Sequence, residues 1–189
     1  RAFDLAYEDI SGDALIVFEN TSTADLFIQY VLWNGTRFSD FNNITVPNTT
    51  TQMTVDRVRL IPRKGTDKIM ILFANNTDPT GVWAIPWEGD VFNLSSGAFL
   101  KAADFNSASA TFDFGWETVS GDGLLVVGND ATSPKVVANT YSPITGWGSE
   151  IIIATAGMNG INGVRTCSNE KSNFIGLIWQ PLMFGAGGV

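Results

Sequence analysis

Residues 1–20 and 110–129 are nearly the same text, aligned without a gap at an offset of 109. Phe3, Asp4, Glu8, Ser11, Gly12, Asp13, Leu15, Val17 and Asn20 recur as Phe112, Asp113, Glu117, Ser120, Gly121, Asp122, Leu124, Val126 and Asn129. Most mismatches keep their character, as Tyr7 against Trp116 and Ile10 against Val119. A fixed internal period restricts the fold more than any single residue does, because each unit must bury its apolar face against a neighbour.

A shorter period lies inside the long one. "LIVFENTSTADLFIQYVLWNGTRF" (15–38) and "IMILFANNTDPTGVWAIPWEGDVF" (69–92) each run from an apolar stretch through an Asn-rich turn to a second stretch. Both then reach Trp-x-Gly-x-x-Phe, as Trp33, Gly35 and Phe38 and, 54 residues later, Trp87, Gly89 and Phe92. A third unit closes on a shifted version around Gly146 and Trp147. A fourth opens at Val164-Arg165, matching Val58-Arg59, and Ile175–Trp179 matches Ile69–Phe73. The order is A-B-A-B, with units near 1–55, 56–109, 110–162 and a truncated 163–184, then a Gly-rich tail at 185–189.

Each unit reads as short strands. Ala14–Phe18, Ile69–Phe73, Leu124–Val127 and Phe174–Trp179 are rich in β-branched and aromatic residues. Ser-Gly-Asp or Gly-Thr-Asp turns precede the first three, and such bounded apolar runs read as buried strands. No stretch has helical periodicity beyond a turn. The fold expected is all-β and β-propeller-like, with about four strands per unit and 3.5–4 blades of ~54 residues in one repeat domain. The "ALIVF" and "IMILF" runs fit the inner strand of a blade, and the Trp-x-Gly aromatic fits packing between blades. A tandem of β-sandwiches or an open stack of small sheets is the alternative. Three and a half units do not close an ordinary ring. The candidates are a longer chain, two chains completing one ring, or a four-bladed ring with a reduced last blade.

At these residues the chain resembles a family of repetitive extracellular proteins of bacteria and archaea. Their repeats alternate between an "FDVAYE-xx-SGDALVVY" type and a "VRLA-xx-PGTDEI" type that closes on "WNGSxW". The first type matches Phe3–Phe18 and Phe112–Val127, the second "VRLIPRKGTDKIMIL" (58–72), and the close "WNGTRF" and "WEGDVF". The resemblance covers most of residues 1–180. It implies a secreted or surface-anchored, non-catalytic, propeller-like array without catalytic residues. The fourth unit departs from it by lacking a Trp-x-Gly close.

The chemistry of the chain agrees with that class. Net charge is −8 and the pI is near 4.3, which argues against a nucleic-acid or anionic-membrane partner, since both want a basic face. No apolar run reaches the roughly 18 residues that span a bilayer. The chain opens on Arg1 without a signal peptide, which fits a mature or excised piece of a longer precursor. The single cysteine, Cys167, reads as a small buried hydrophobe. With no histidine, the usual nucleophile–base pairs are missing.

Six sequons, at Asn20, Asn34, Asn43, Asn48, Asn75 and Asn93, lie within the first hundred residues. They read as glycosylation candidates on an exported surface or as turn formers. Trp33, Trp87 and Trp147 are candidates for stacking on sugars, weighed against burial between blades. The carboxylates Asp4, Glu8, Asp13, Asp113, Glu117 and Asp122 recur with the repeat. A catalytic pair belongs to one site, so repetition assigns them to turns and strand-end amides. No Asp-x-Asp-x-Asp-Gly run is present, and no metal or other cofactor is expected. The sequence reading is a non-catalytic extracellular structural or adhesion protein. Its expected partners are other copies of the chain or the remainder of a longer one. A carbohydrate-binding propeller lectin is the first alternative and a glycoside-active enzyme the second.

Overall fold

The computed structural model describes residues 3–19, 27–46, 54–75, 81–100, 111–129, 135–155 and 160–181. Among these residues the chain is all β, with fourteen strands, one 3-10 turn at Leu94–Ser96 and no α-helix. It divides into two compact units, Arg1–Lys101 and Ala102–Val189.

The first unit holds two antiparallel meanders. β1 (Phe3–Tyr7), β2 (Ala14–Phe18), β3 (Phe27–Trp33) and β4 (Asn42–Thr45) form the first sheet in that order. β5 (Val55–Pro62), β6 (Lys68–Asn75), β7 (Gly81–Glu88) and β8 (Ala98–Leu100) form the second. The β1–β2 hairpin closes through Ser11-Gly12-Asp13, where Gly12 has φ 76°, a conformation that a side chain disfavours. Strand alternation then sorts the residues. Leu15 and Val17 turn inward to meet Ile71, Phe73 and Trp87 of the second sheet in one core. Burial of each such side chain contributes about 1.5–3 kcal/mol, and a lone four-stranded sheet has no way to collect it.

The "ALIVF" and "IMILF" runs are second strands, each flanked on both edges, and not the innermost strand of a blade. The alternating "FDLAY" of β1 takes the edge beside β2. The described side chains of β6, and all of β7 up to Trp87, are buried apart from Lys68. This two-sided burial is why those strands lack polar alternation.

The second unit repeats the scheme. β9 (Phe112–Trp116), β10 (Gly123–Gly128), β11 (Val136–Ser142) and β12 (Gly146–Ala154) form a four-stranded meander. β13 (Ile161–Ser168) and β14 (Ile175–Pro181) form a sheet that is two-stranded among the described residues. Val126, Val136 and Ala138 pack on Ile161 and Val164, with Leu177 and Trp179 against them. None of the four sheets closes on itself into a barrel. Cys167, expected inside, is exposed, because alternation after Val164, which points into the core, puts Cys167, three residues on, on the opposite face. No helix among the described residues is long and apolar enough to cross a membrane.

Candidate functional site

Three of the recurring acids, Asp4, Glu8 and Asp113, lie where an A-type sheet meets the B-type sheet that follows it in the same unit. Asp4, on β1, accepts from its neighbour's amide at Leu5 (2.9 Å) and, through Oδ2, from the Leu60 amide on β5 (2.8 Å). Asp113, on β9 and buried, does the same with the amides of Phe114 (2.9 Å) and Thr166 on β13 (2.9 Å). One carboxylate thus bridges two sheets, and each of its oxygens meets a backbone N–H that otherwise needs a partner.

A second bridge runs the other way. Asp67 Oδ1 accepts from the Ile10 and Ser11 amides, both at 2.9 Å, at the tip of the β1–β2 turn. Asn173 Oδ1 accepts from Val119 and Ser120 at 3.1 and 3.0 Å. The sequence marks Asp67 only as part of the Gly-Thr-Asp turn and does not pair it with Asn173, because their neighbours, "KGTD" and "EKSN", differ. The signal was present as an Asp or Asn eight residues after each Val-Arg dipeptide. Asp9 adds a third link, accepting from the Gly65 amide at 2.6 Å. At the matching position Thr118 donates to the Asn169 carbonyl at 2.9 Å.

Glu8 is buried and fully engaged. Its Oε2 accepts from Ser11 Oγ and its Oε1 from the indole N–H of Trp87, each at 2.5 Å. Glu117 keeps the serine bond, from Ser120 Oγ at 2.7 Å, and is half-exposed. Asp13 and Asp122 hold their turns through backbone amides that donate to Ser11 and Ser120 Oγ, both at 3.1 Å.

The three candidate tryptophans have different surroundings. Trp87 pairs with Ile69 on the core side of the second sheet and is fully buried, with Tyr30 and Phe92 edge-on at 6.1 and 4.7 Å. Trp33 pairs with Ala14 on the outer face of the first sheet, half-buried against Phe38 at 4.7 Å. Leu15 pairs with Leu32, whereas its counterpart Ile69 pairs with Trp87, and that one-residue difference in register puts the same motif on opposite faces. Trp147 is half-buried and lines a cleft of about 430 Å³ with Glu117, Asp122, Tyr141 and Thr145. Both carboxylates there belong to the recurring set.

Of the sequons, Asn34 and Asn43 are exposed and Asn93 is half-buried. Asn34 Oδ1 accepts from Thr36 Oγ1 (2.8 Å) and from the Thr36 and Arg37 amides, so it also builds its turn. Asn93 Oδ1 caps the 3-10 turn at the Ser96 amide (3.2 Å). Asn20, Asn48 and the Asn75 side chain lie outside the described residues, as does the tail at 185–189. No group of three or more His, Cys, Asp or Glu among the described residues is arranged to hold a metal ion.

Comparison of the chain with protein-family models, curated proteins and solved structures finds no match.

Proposed function

We propose that the chain is a non-catalytic structural module of an extracellular assembly, built as a propeller-like array of alternating A and B blades and contributing to a surface layer, stalk or filament. The observation that carries this reading is the use made of the acids. Asp4, Glu8 and Asp113 are engaged by backbone amides, a serine and an indole, in bonds that hold one sheet to the next. Groups needed for turnover would keep a free face toward substrate. The sequons support an exported surface, and exposed Asn34 and Asn43 are the positions for glycans.

Two measurements test it. Immunogold labelling of intact source cells should place the chain outside the cell envelope. The purified protein should release no product from a panel of aryl glycosides and esters. Envelope-interior labelling or steady turnover would sink the reading.

The cleft beside Trp147 favours a second reading, carbohydrate binding, because it sets a half-exposed indole among hydroxyl and carboxylate groups. Glycan-array binding that is lost in Trp147→Ala and kept in Trp33→Ala would establish it.

A further inference from the structure

In the first unit the core between the two sheets is completed by β7. Ile69, Ile71 and Phe73 of β6 pair with Trp87, Ile85 and Trp83 of β7, and all six share one core with Leu15 and Val17 of the first sheet. In the second unit Ile175, Leu177 and Trp179 of β14 stand at the positions of Ile69, Ile71 and Phe73. β14 has β13 on one edge and, among the described residues, no strand on the other. Burial follows this difference. Val164 on β13 is buried like its counterpart Val58. Ile69, Ile71 and Phe73 are 0% exposed, whereas Ile175, Leu177 and Trp179 are half-buried. Leu124 is half-buried too, where its counterpart Leu15 is buried. The part of the core that β7 fills in the first unit is the part left open in the second. Glu117 repeats the contrast. Glu8 accepts from the Trp87 indole, whereas Glu117 keeps the serine bond and meets no indole among the described residues. It lines the cleft of about 430 Å³ with Thr140, which pairs with Leu124 as Leu32 pairs with Leu15.

We infer that the free edge of β14 takes an antiparallel strand brought by a partner polypeptide, an apolar strand of the pattern Trp-x-Ile-x-Trp whose last indole enters the cleft and donates to Glu117. This rests on the structural reading above and names the joint through which the module accepts a neighbour. The occupant is specified by β7. In the β6–β7 register, the same pattern on β14 sets its residues beside Trp179, Leu177 and Ile175 in turn. The last tryptophan then lies beside Ile175. Ile175 packs over Gly115, where an added Cβ would come within 2.7 Å of it, and Gly115 is two residues before Glu117. The indole is thereby placed at the end of the sheet where Glu117 waits, as Trp87 is placed for Glu8. Among residues 1–189 the pattern occurs only at 83–87, which the first unit already buries, so none of them is free to supply it. Strand addition of this kind draws affinity from main-chain hydrogen bonds and specificity from pockets for alternate side chains. An unpaired edge is a ready template for it.

The probe is a fluorescein-labelled peptide of residues 81–89, "GVWAIPWEG", titrated with the full chain and followed by anisotropy. Saturable binding is expected, with none for a scrambled peptide of the same composition. On binding, the β14 amides not already bonded to β13 should gain protection from hydrogen exchange. A cycle of substitutions reads the indole–carboxylate contact. Trp87→Phe in the peptide should weaken binding to the wild-type chain at least about tenfold, the effect of losing a hydrogen bond to a charged group. Glu117→Ala in the chain should weaken binding of the unmodified peptide by a similar factor. The two together should cost little more than either alone, because both remove one bond. Glu117→Gln keeps an acceptor oxygen and should cost less. Glu117 is half-exposed, and circular dichroism melts check that both variants fold. No saturable binding, equal binding of the scrambled peptide, or strictly additive losses would overturn the inference. So would glycan binding at the cleft that the peptide fails to displace. Failure of these outcomes leaves the surface-labelling and turnover tests of the structural reading untouched.

Discussion

Asp113 shows how a residue that looks chemical is made structural. Its two oxygens meet two backbone amides at 2.9 Å in a buried setting, so replacing it with alanine strands both donors. A buried donor left without a partner costs about 1–3 kcal/mol. Asp113→Ala should therefore lower the stability measured by denaturant unfolding by about that amount. Asp113→Asn should cost less, since it keeps an acceptor oxygen, and Asp4→Ala should cost less because Asp4 is half-exposed. Equal losses for Asp113→Ala and Asp113→Asn would argue against the amide bridge. Tyr30 gives a pH signature. Burial raises its phenol above the usual tyrosine value, so the folded state favours the neutral hydroxyl that packs beside Trp87 and Phe92. Its contribution is fully present below the ordinary value near 10 and is lost as pH rises through the raised one. Thermal melts should decline on the alkaline side, and Tyr30→Phe should flatten part of that decline. An unchanged alkaline limb in Tyr30→Phe would count against it.

Among the elements, the strands were legible and their faces were not. "ALIVF" over Ala14–Phe18 coincides with β2, because β-branched runs between Gly-Asp turns leave few alternatives. The side on which Trp33 and Trp87 project was hidden, because it depends on a one-residue difference in pairing register that the shared motif does not encode. Cys167 departs from its expected burial for a related reason: composition favours the interior, but alternation along β13 turns it out. The repeat also records a packing exchange. The Phe114 ring lies over Gly123, where an added Cβ would come within 2.1 Å of it. The first sheet has Leu5 and Ala14 at the matching positions. Gly123→Ala alone should destabilise by about 1–3 kcal/mol through overpacking. Phe114→Leu alone should destabilise by leaving a void. The double variant, which copies the first repeat, should cost less than the sum of the two, with a coupling of about 0.5–3 kcal/mol in unfolding measurements. Strict additivity would show that the two sites do not touch.

For the molecule as a whole, the repeat set the plan and the structure supplied the joints. The A-B-A-B order read from Asp4, Val58, Asp113 and Val164 corresponds to four small sheets, paired within two units by one set of bonds used twice. The central claim is that Asp4 and Asp113 are joints between sheets. Amide hydrogen exchange followed by NMR tests it most directly. In the wild type the Leu60 and Thr166 amides should both be protected. Asp4→Ala should speed exchange at Leu60 and leave Thr166 unchanged. Asp113→Ala should do the reverse, with accelerations of at least about tenfold, the equivalent of roughly 1.4 kcal/mol. Protection at Leu60 and Thr166 that survives both substitutions would contradict the account.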